Sequence, residues 1–245
     1  MDHELMTMWL SVDPMADKYP SISPYAYCAW NPVKLVDPDG REIFINIDGT
    51  RYYLKIEEGN NISWQSKDGE TYSPAEGSWT GNLTSAIEIL ISSKTANALI
   101  SELVNNENEL EIKSGNNNNY DPMGTFIHWN GKSGTSGSTM YLNEDGDVWY
   151  TQKPEICPME IGLIHELAHI NDVWNDIVSD REGVWDSYTK KDGTRGKIKN
   201  AEKYSCYIEN KVRSEMNLPK RRYYYYNSRT GESAGDIWDY IFNEF

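Results

Sequence analysis

Apolar residues recur with two different periods along this chain, and the places where the period changes mark out its elements. Over residues 41–82 the pattern alternates and turns. Ile43-Phe44-Ile45-Asn46-Ile47, then Asp48-Gly49, then Tyr52-Tyr53-Leu54-Lys55-Ile56 predicts a β-hairpin with a glycine-containing turn. Over residues 83–104 the positions Ala86, Ile87, Leu90, Ile91, Ala98, Leu99 and Leu103 return at helical spacing, which predicts one or two helices broken near Ser92-Ser93. Residues 125–129, 139–142 and 148–150 predict short strands. Met159, Leu163, Ile164, Leu167, Ala168 and Ile170 then predict a largely buried helix from near Pro158, and residues 200–215 a second helix ending before Leu218-Pro219. The stretches 116–119, all asparagine, and 131–137 are polar or glycine-rich loops. Residues 178–199, with Gly183, Gly193, Gly196 and many charges, read as a loop between the two helices that borders a cleft. The expected fold class is α+β.

The first forty residues are different. They are dense in Pro, Tyr and turn residues and lack the apolar periodicity of a self-sufficient fold.

Composition narrows the function classes. The chain has 245 residues, 38% hydrophobic and 12% aromatic, enough for a sizeable core. Thirty-eight acidic against 23 basic side chains give a formal charge of −15, whose field repels phosphate backbones and anionic membranes, so nucleic acid is not an expected partner. Lys220-Arg221-Arg222 is a local exception, followed by four tyrosines that read as a strand. Cys28, Cys157 and Cys206 lie far apart and describe neither a disulfide scaffold nor a thiolate metal site. The longest apolar run, around 87–91, is too short for a membrane span. Met1-Asp2-His3-Glu4 is acidic and unlike the start of a signal peptide, so any export is expected to use a specialised secretion system.

The sharpest chemical signal is His165-Glu166-Leu167-Ala168-His169. On a helix the two histidines fall one turn apart on one face, where two neutral imidazoles reach one tetrahedral Zn²⁺, while Glu166 is placed to take a proton from an activated water. A catalytic zinc normally has three protein ligands, and the 200–215 helix offers Glu202 and Glu209, seven residues apart on roughly one face. His128, between Ile127 and Trp129, reads as a structural strand histidine. Asp172 and Asp176 read as solvated helix-end carboxylates, with the orienting of a ligand histidine through its second ring nitrogen as the alternative. Any of the strands before the motif is a candidate to hold an extended substrate by main-chain pairing.

Two resemblances extend this reading. Trp9-Leu10-Ser11-Val12-Asp13-Pro14, Tyr19-Pro20-Ser21-Ile22-Ser23-Pro24-Tyr25-Ala26-Tyr27-Cys28, Asn31-Pro32-Val33 and Val36-Asp37-Pro38-Asp39-Gly40 resemble the carboxy-terminal end of the core of RHS/YD-repeat proteins, β-cage shells whose last segment ends in Asp-Pro-x-Gly. The resemblance covers about a sixth of the chain. It implies that residues 41–245 are a toxin cargo, enclosed by the cage and released by self-cleavage near the motif, and that a cognate immunity protein exists. Arg41 stands where that family has a hydrophobic residue, and Asp37-Pro38-Asp39-Gly40 is also a turn by residue type.

The second is carried by His165-Glu166-Leu167-Ala168-His169, Gly183, and Glu202-x-x-Ser205-x-x-x-Glu209-Asn210-x-x-Arg213-x-Glu215-x-x-Leu218-Pro219. Over about 125–226 the chain is similar to zinc-metallopeptidase effectors, including proteases injected by type III secretion and domains ending bacterial polymorphic toxins. This resemblance implies a zincin-like domain with an active-site helix, a small mixed or antiparallel sheet and a second ligand-bearing helix. It favours Glu202 as third zinc ligand after His165 and His169, with Glu209-Asn210 in support and Glu209 as the alternative. Arg221 and Tyr224, three apart, look like the oxyanion-stabilising pair of clostridial neurotoxin light chains, acting where negative charge develops.

The expectation is therefore an RHS-core segment over 1–40 and a toxin domain over 41–245, comprising a scaffold at 41–120 and a catalytic part at 121–245. That domain is expected to cleave a protein of a target cell after secretion or delivery. The rival expectations are a non-enzymatic RHS-derived interaction protein with a vestigial or structural metal site, and a toxin of other chemistry such as a nuclease.

Overall fold

The computed structural model describes residues 43–57, 59–106, 108–114, 126–129, 138–142, 147–150, 154–190, 192–227 and 229–237, with residues 126–129, 138–142, 147–150 and 154–156 described through their backbone. The RHS-like segment and the loops at 116–119 and 131–137 lie outside the described residues, as does the side chain of His128.

The fold is α+β. β1 (Ile43–Ile47) and β2 (Thr50–Glu57) form the expected hairpin, and Asp48 and Gly49 both take positive φ (50° and 89°), the backbone that a two-residue turn between twisted strands requires. β3 (Asn61–Gln65) and β4 (Thr71–Tyr72) continue the meander. Two helices follow. Ser78 caps α1 (Trp79–Leu90) by accepting from Gly81 N–H at 3.1 Å, and Ser93 caps α2 (Lys94–Val104) by accepting from Ala96 N–H at 3.1 Å. The break at Ser92-Ser93 is thus a new helix start.

β5 (Leu110–Ser114), β6 (Phe126–Trp129) and β7 (Ser138–Leu142) complete one mixed sheet in the order β4-β3-β2-β1-β5-β7-β6, parallel at β1/β5 and β5/β7. This sheet runs across position 120, so the scaffold and catalytic stretches share one sheet. Ile43, Ile45, Tyr52, Leu54, Trp64, Leu110 and Ile112 line its inner face by the period-two rule, against Leu83, Ile87 and Leu90 of α1 and Leu99, Ile100 and Leu103 of α2.

β8 (Asp147–Tyr150) and β9 (Pro154–Cys157) form a hairpin that runs into α3 (Met159–Asn175). Ile161, Gly162, Leu163, Ile164, Leu167, Ala168 and Ile170 are buried around almost the whole circumference of α3, so its polar side chains are carried into the core. Asp176 ends it in a left-handed conformation (φ 51°). The stretch read as a loop is a second hairpin, β10 (Val184–Thr189) with β11 (Arg195–Lys199); its alternation is hidden because Gly196 and Ile198 are the only buried positions of β11. α4 (Ala201–Glu215) packs on α3, and β12 (Tyr223–Tyr226) pairs with β13 (Ser233–Asp236). Among the described residues no helix is long and apolar enough to cross a membrane.

α4 is also tied to α2. Glu215 accepts from Ser93 Oγ at 2.6 Å, from Thr95 N–H at 3.0 Å and from Thr95 Oγ1 at 2.6 Å, clamping the start of α2. Partial burial pushes the Glu215 carboxyl up, but these hydrogen bonds outweigh it and hold it below its ordinary value. A depressed folded value means that the stabilisation is present above the unfolded carboxylate value of about 4.3 and lost as pH falls through the folded value. Glu215→Gln is therefore expected to lower stability at pH 7 by about 1 kcal/mol or less, since solvent screens the exposed carboxylate, and to cost nothing once both states are protonated. Urea denaturation at pH 7 and in acid checks this; an equal loss at both would contradict it.

Candidate active site

His165 and His169 lie one turn apart on α3, their rings 5.0 Å between centroids and nearly perpendicular. Glu202, in the first turn of α4, comes between them: its Oε2 lies 3.3 Å from His165 Nε2 and 3.1 Å from His169 Nε2. Glu209, two turns further along, takes the other side of the first ring, with Oε2 at 3.2 Å from His165 Nδ1. The two glutamates that the sequence left as alternatives thus touch opposite nitrogens of one imidazole.

The donor set fits a metal ion. Two atoms bound to a tetrahedral zinc at about 2.0–2.1 Å stand about 3.3 Å apart, close to the two Glu202–imidazole separations of 3.3 and 3.1 Å. The three donor atoms of His165, His169 and Glu202 all lie within 4.8 Å of one another, on a partly exposed rim. The electrostatics point the same way. Burial opposes charge on His165, yet the Glu202 and Glu209 carboxylates raise it above its ordinary value. Burial likewise opposes charge on Glu202, and His169 and His165 hold it well below the usual carboxylate range. The cup stabilises positive charge between its carboxylates.

A second group, His165, Cys206 and Glu209, is also close enough to share an ion, and it is fully buried. Its groups are otherwise engaged. Burial pushes the Cys206 thiol well up, so it stays neutral, and Glu209 is already paired with two guanidinium groups. Arg213 Nε donates to Glu209 Oε1 at 2.7 Å and Arg221 Nη1 to Oε2 at 3.3 Å. Despite complete burial these cations, with His165, keep Glu209 ionised and below its ordinary value. Arg213 completes itself on Pro219 O and Cys157 Sγ.

Arg221 and Tyr224 come to the same place. Asn210 clasps the Arg221 backbone, Nδ2 donating to Arg221 O at 2.9 Å and Oδ1 accepting from Arg221 N–H at 2.8 Å. The Arg221 guanidinium is buried, donates to Tyr223 O and Tyr224 O as well as to Glu209, and lies 4.8 Å from the centre of the Tyr224 ring. Its reach into the site thus runs through Glu209 and Tyr224. Burial, then the charge of Glu202 and, more weakly, of Glu166, holds Tyr224 well above its ordinary value, so it is a neutral phenol with an O–H to donate. Glu166, next to His165 on α3, is half-buried.

Asp172 is not a solvated helix-end carboxylate but a buried ion-pair partner of Arg181. Fully buried at the end of α3, its Oδ2 accepts from Arg181 Nε at 2.9 Å and its Oδ1 from Val178 N–H at 2.7 Å; Asp176 is exposed and 3.8 Å from Arg181. The backbone of this segment then caps α4. Arg181 O accepts at 3.2 Å from the N–H of Ala201, one residue before Glu202, and Gly183 O from Asn200 N–H at 2.8 Å. A Cβ on Gly183 would overlap the Asp180 and Asn200 side chains, which explains glycine there. Arg181 and Arg213 were given no role from sequence. The i,i+4 spacing of Glu209 and Arg213 was the available signal for the second, whereas nothing local marks the first.

Glu209→Gln leaves Arg213 and Arg221 buried without their anion and weakens the anchor of His165. The expected outcome is a loss of about 3 kcal/mol in unfolding free energy and about 10–100-fold in zinc affinity. Denaturant titration and competition with a chromophoric chelator check the two effects, and unchanged zinc affinity in the folded variant would contradict the role of Glu209.

No curated protein and no solved structure matches the chain. One family model does, the Peptidase M91 family, described as effector protein, over residues 69–224. That match takes in more than half of the chain and spans α1 to Tyr224, and on this ground the chain belongs to the Peptidase M91 family of effector proteins.

Proposed function

We propose that this peptidase effector is a zinc-dependent endopeptidase that cleaves a protein of a target cell. The observation that carries the reading is the single Glu202 oxygen set against both Nε2 atoms of the His-Glu-x-x-His helix. His165, His169 and Glu202 would hold the ion, leaving a position open to water and substrate. When bound, zinc supplies Lewis acidity, polarising the scissile carbonyl and acidifying the attacking water.

The chain's own residues do the rest. Glu166 takes the proton of the attacking water on a carboxylate oxygen and passes it to the leaving amine as the C–N bond breaks. Tyr224 donates its phenolic O–H to the oxygen that gains charge as the carbonyl becomes tetrahedral. Arg221 acts as a positioning residue, fixing the Tyr224 ring and backbone while sharing Glu209 with His165. Glu209 keeps the His165 ring turned so that Nε2 faces the cup. β6 ends the strand order of the main sheet, and an extended substrate pairs with its outer edge. The likeness of residues 1–40 to an RHS core end supports delivery as the cargo of an RHS cage. A self-toxic cargo of that kind requires a cognate immunity protein in the producing cell.

Glu166→Gln is expected to retain one zinc per chain, measured by elemental analysis, while peptide-bond cleavage falls by at least about 10³-fold. Tyr224→Phe is expected to lower kcat about 10²-fold with little change in KM, because its hydrogen bond forms only in the transition state. Full cleavage by a folded, zinc-loaded Glu166→Gln protein would refute the mechanism. Absence of zinc from the purified wild type would favour a non-enzymatic interaction protein.

A further inference from the structure

Basic charge in this acidic chain is concentrated beside the candidate site. Thirteen of the 23 Lys and Arg lie between residues 181 and 229, against six of the 38 Asp and Glu, so the remainder is far more acidic than the whole. Within that stretch β11 buries Gly196 and Ile198 and exposes Arg195, Lys197 and Lys199. Three cations therefore project from one strand face at intervals of about 7 Å. The row is close in the chain to the proposed zinc cup, Lys199 preceding Glu202 by three residues, while Ile198 on the opposite face of β11 turns toward Gly235 and Tyr224.

The hairpin is braced against the strand that carries Tyr224. Tyr188 of β10 stacks on Tyr225 of β12 with centroids 4.0 Å apart, Tyr225 Oη donates to Thr189 O at 3.0 Å, and Gly235 N–H donates to Asp186 Oδ2 at 2.8 Å. The row is thus fixed relative to the proposed oxyanion donor. Two of its cations have partners: Lys199 lies 2.6 Å from the exposed Glu182, and Arg195 3.9 Å from the half-buried Glu232. Such surface pairs are worth at most about 1 kcal/mol and exchange readily for an incoming carboxylate. Lys197, central in the row, makes no ion pair among the described residues.

Resting on the peptidase reading, we propose that the exposed face of β11, opposite the Gly196 and Ile198 face that packs toward Tyr224 and Tyr225, docks an acidic segment of the protein substrate outside the cleft. An extended peptide with Asp or Glu at alternate positions repeats at the same interval of about 7 Å as Arg195, Lys197 and Lys199. A peptide rather than a polyphosphate is the occupant, because the chain belongs to a peptidase family, whose substrate is a polypeptide. The docking steers acidic substrates to the cleft and acts on KM.

The test uses the full chain carrying Glu166→Gln, so that binding is read without cleavage, and follows fluorescence anisotropy at low ionic strength. The probes are a labelled short peptide of alternating Glu and Ala, its Lys-Ala counterpart and a single-stranded oligodeoxythymidine. The Glu-Ala peptide is expected to bind best, to weaken about tenfold when Lys197→Glu and Lys199→Glu are added, and to tighten when Glu182→Gln removes the competing carboxylate. No binding of the Glu-Ala peptide, equal binding by the charge-reversed variant, or tighter binding of the oligonucleotide would overturn the proposal. Failure of the peptidase reading shows separately, as absence of zinc-dependent cleavage by the wild type.

Discussion

A carboxylate with no exposed surface, Glu209, sits where α3, α4 and the segment before β12 meet. Moving such an ion out of water costs several kcal/mol, so it is tolerated only with its oxygens fully engaged. Here Arg213 takes Oε1, while Arg221 and His165 Nδ1 share Oε2. Each contact fixes something else. Arg213 ties the turn at Pro219, Arg221 carries Tyr224, and His165 is one wall of the proposed metal cup. The proposed metal side and oxyanion side of the site are therefore positioned by one buried anion, and neither moves without disturbing its charge balance.

A second constraint sets the opposite end of α4. Asp172 closes α3 by gripping Arg181, and the backbone of 181–183 caps the start of α4 next to Glu202. Two helices distant in sequence are held at both ends: by an ion pair and backbone cap on the side of Glu202, and by the Glu215 clamp on α2 at the far end. Between these ends Glu202 and Glu209 divide their work along one helix face. The partly exposed carboxylate meets both imidazoles, and the buried one meets only the inner nitrogen.

Much of this is legible in the sequence because it is periodic. The i,i+4 histidines, the apolar residues of α3, the Asp48-Gly49 turn and the helix break at Ser92-Ser93 are local signals, and local physics decides them. Glu202 and Glu209 are harder to separate. Helical periodicity places both inward, and their difference comes from Arg213 and Arg221, the latter reached only after the chain turns back at Pro219. Asp172 reads as a helix-end carboxylate because its partner Arg181 follows an irregular turn. The β10–β11 hairpin is masked as a loop because one of the two inward positions of β11 is Gly196, which leaves Ile198 alone to carry the apolar alternation that marks a strand.

The central proposal is that zinc is held by two imidazoles and a carboxylate, with Cys206 outside the coordination shell. X-ray absorption at the zinc edge of the loaded protein measures this directly. The account predicts a shell of nitrogen and oxygen alone at about 2.0–2.1 Å, including two imidazoles. A sulfur scatterer at about 2.3 Å would place Cys206 on the metal and contradict it.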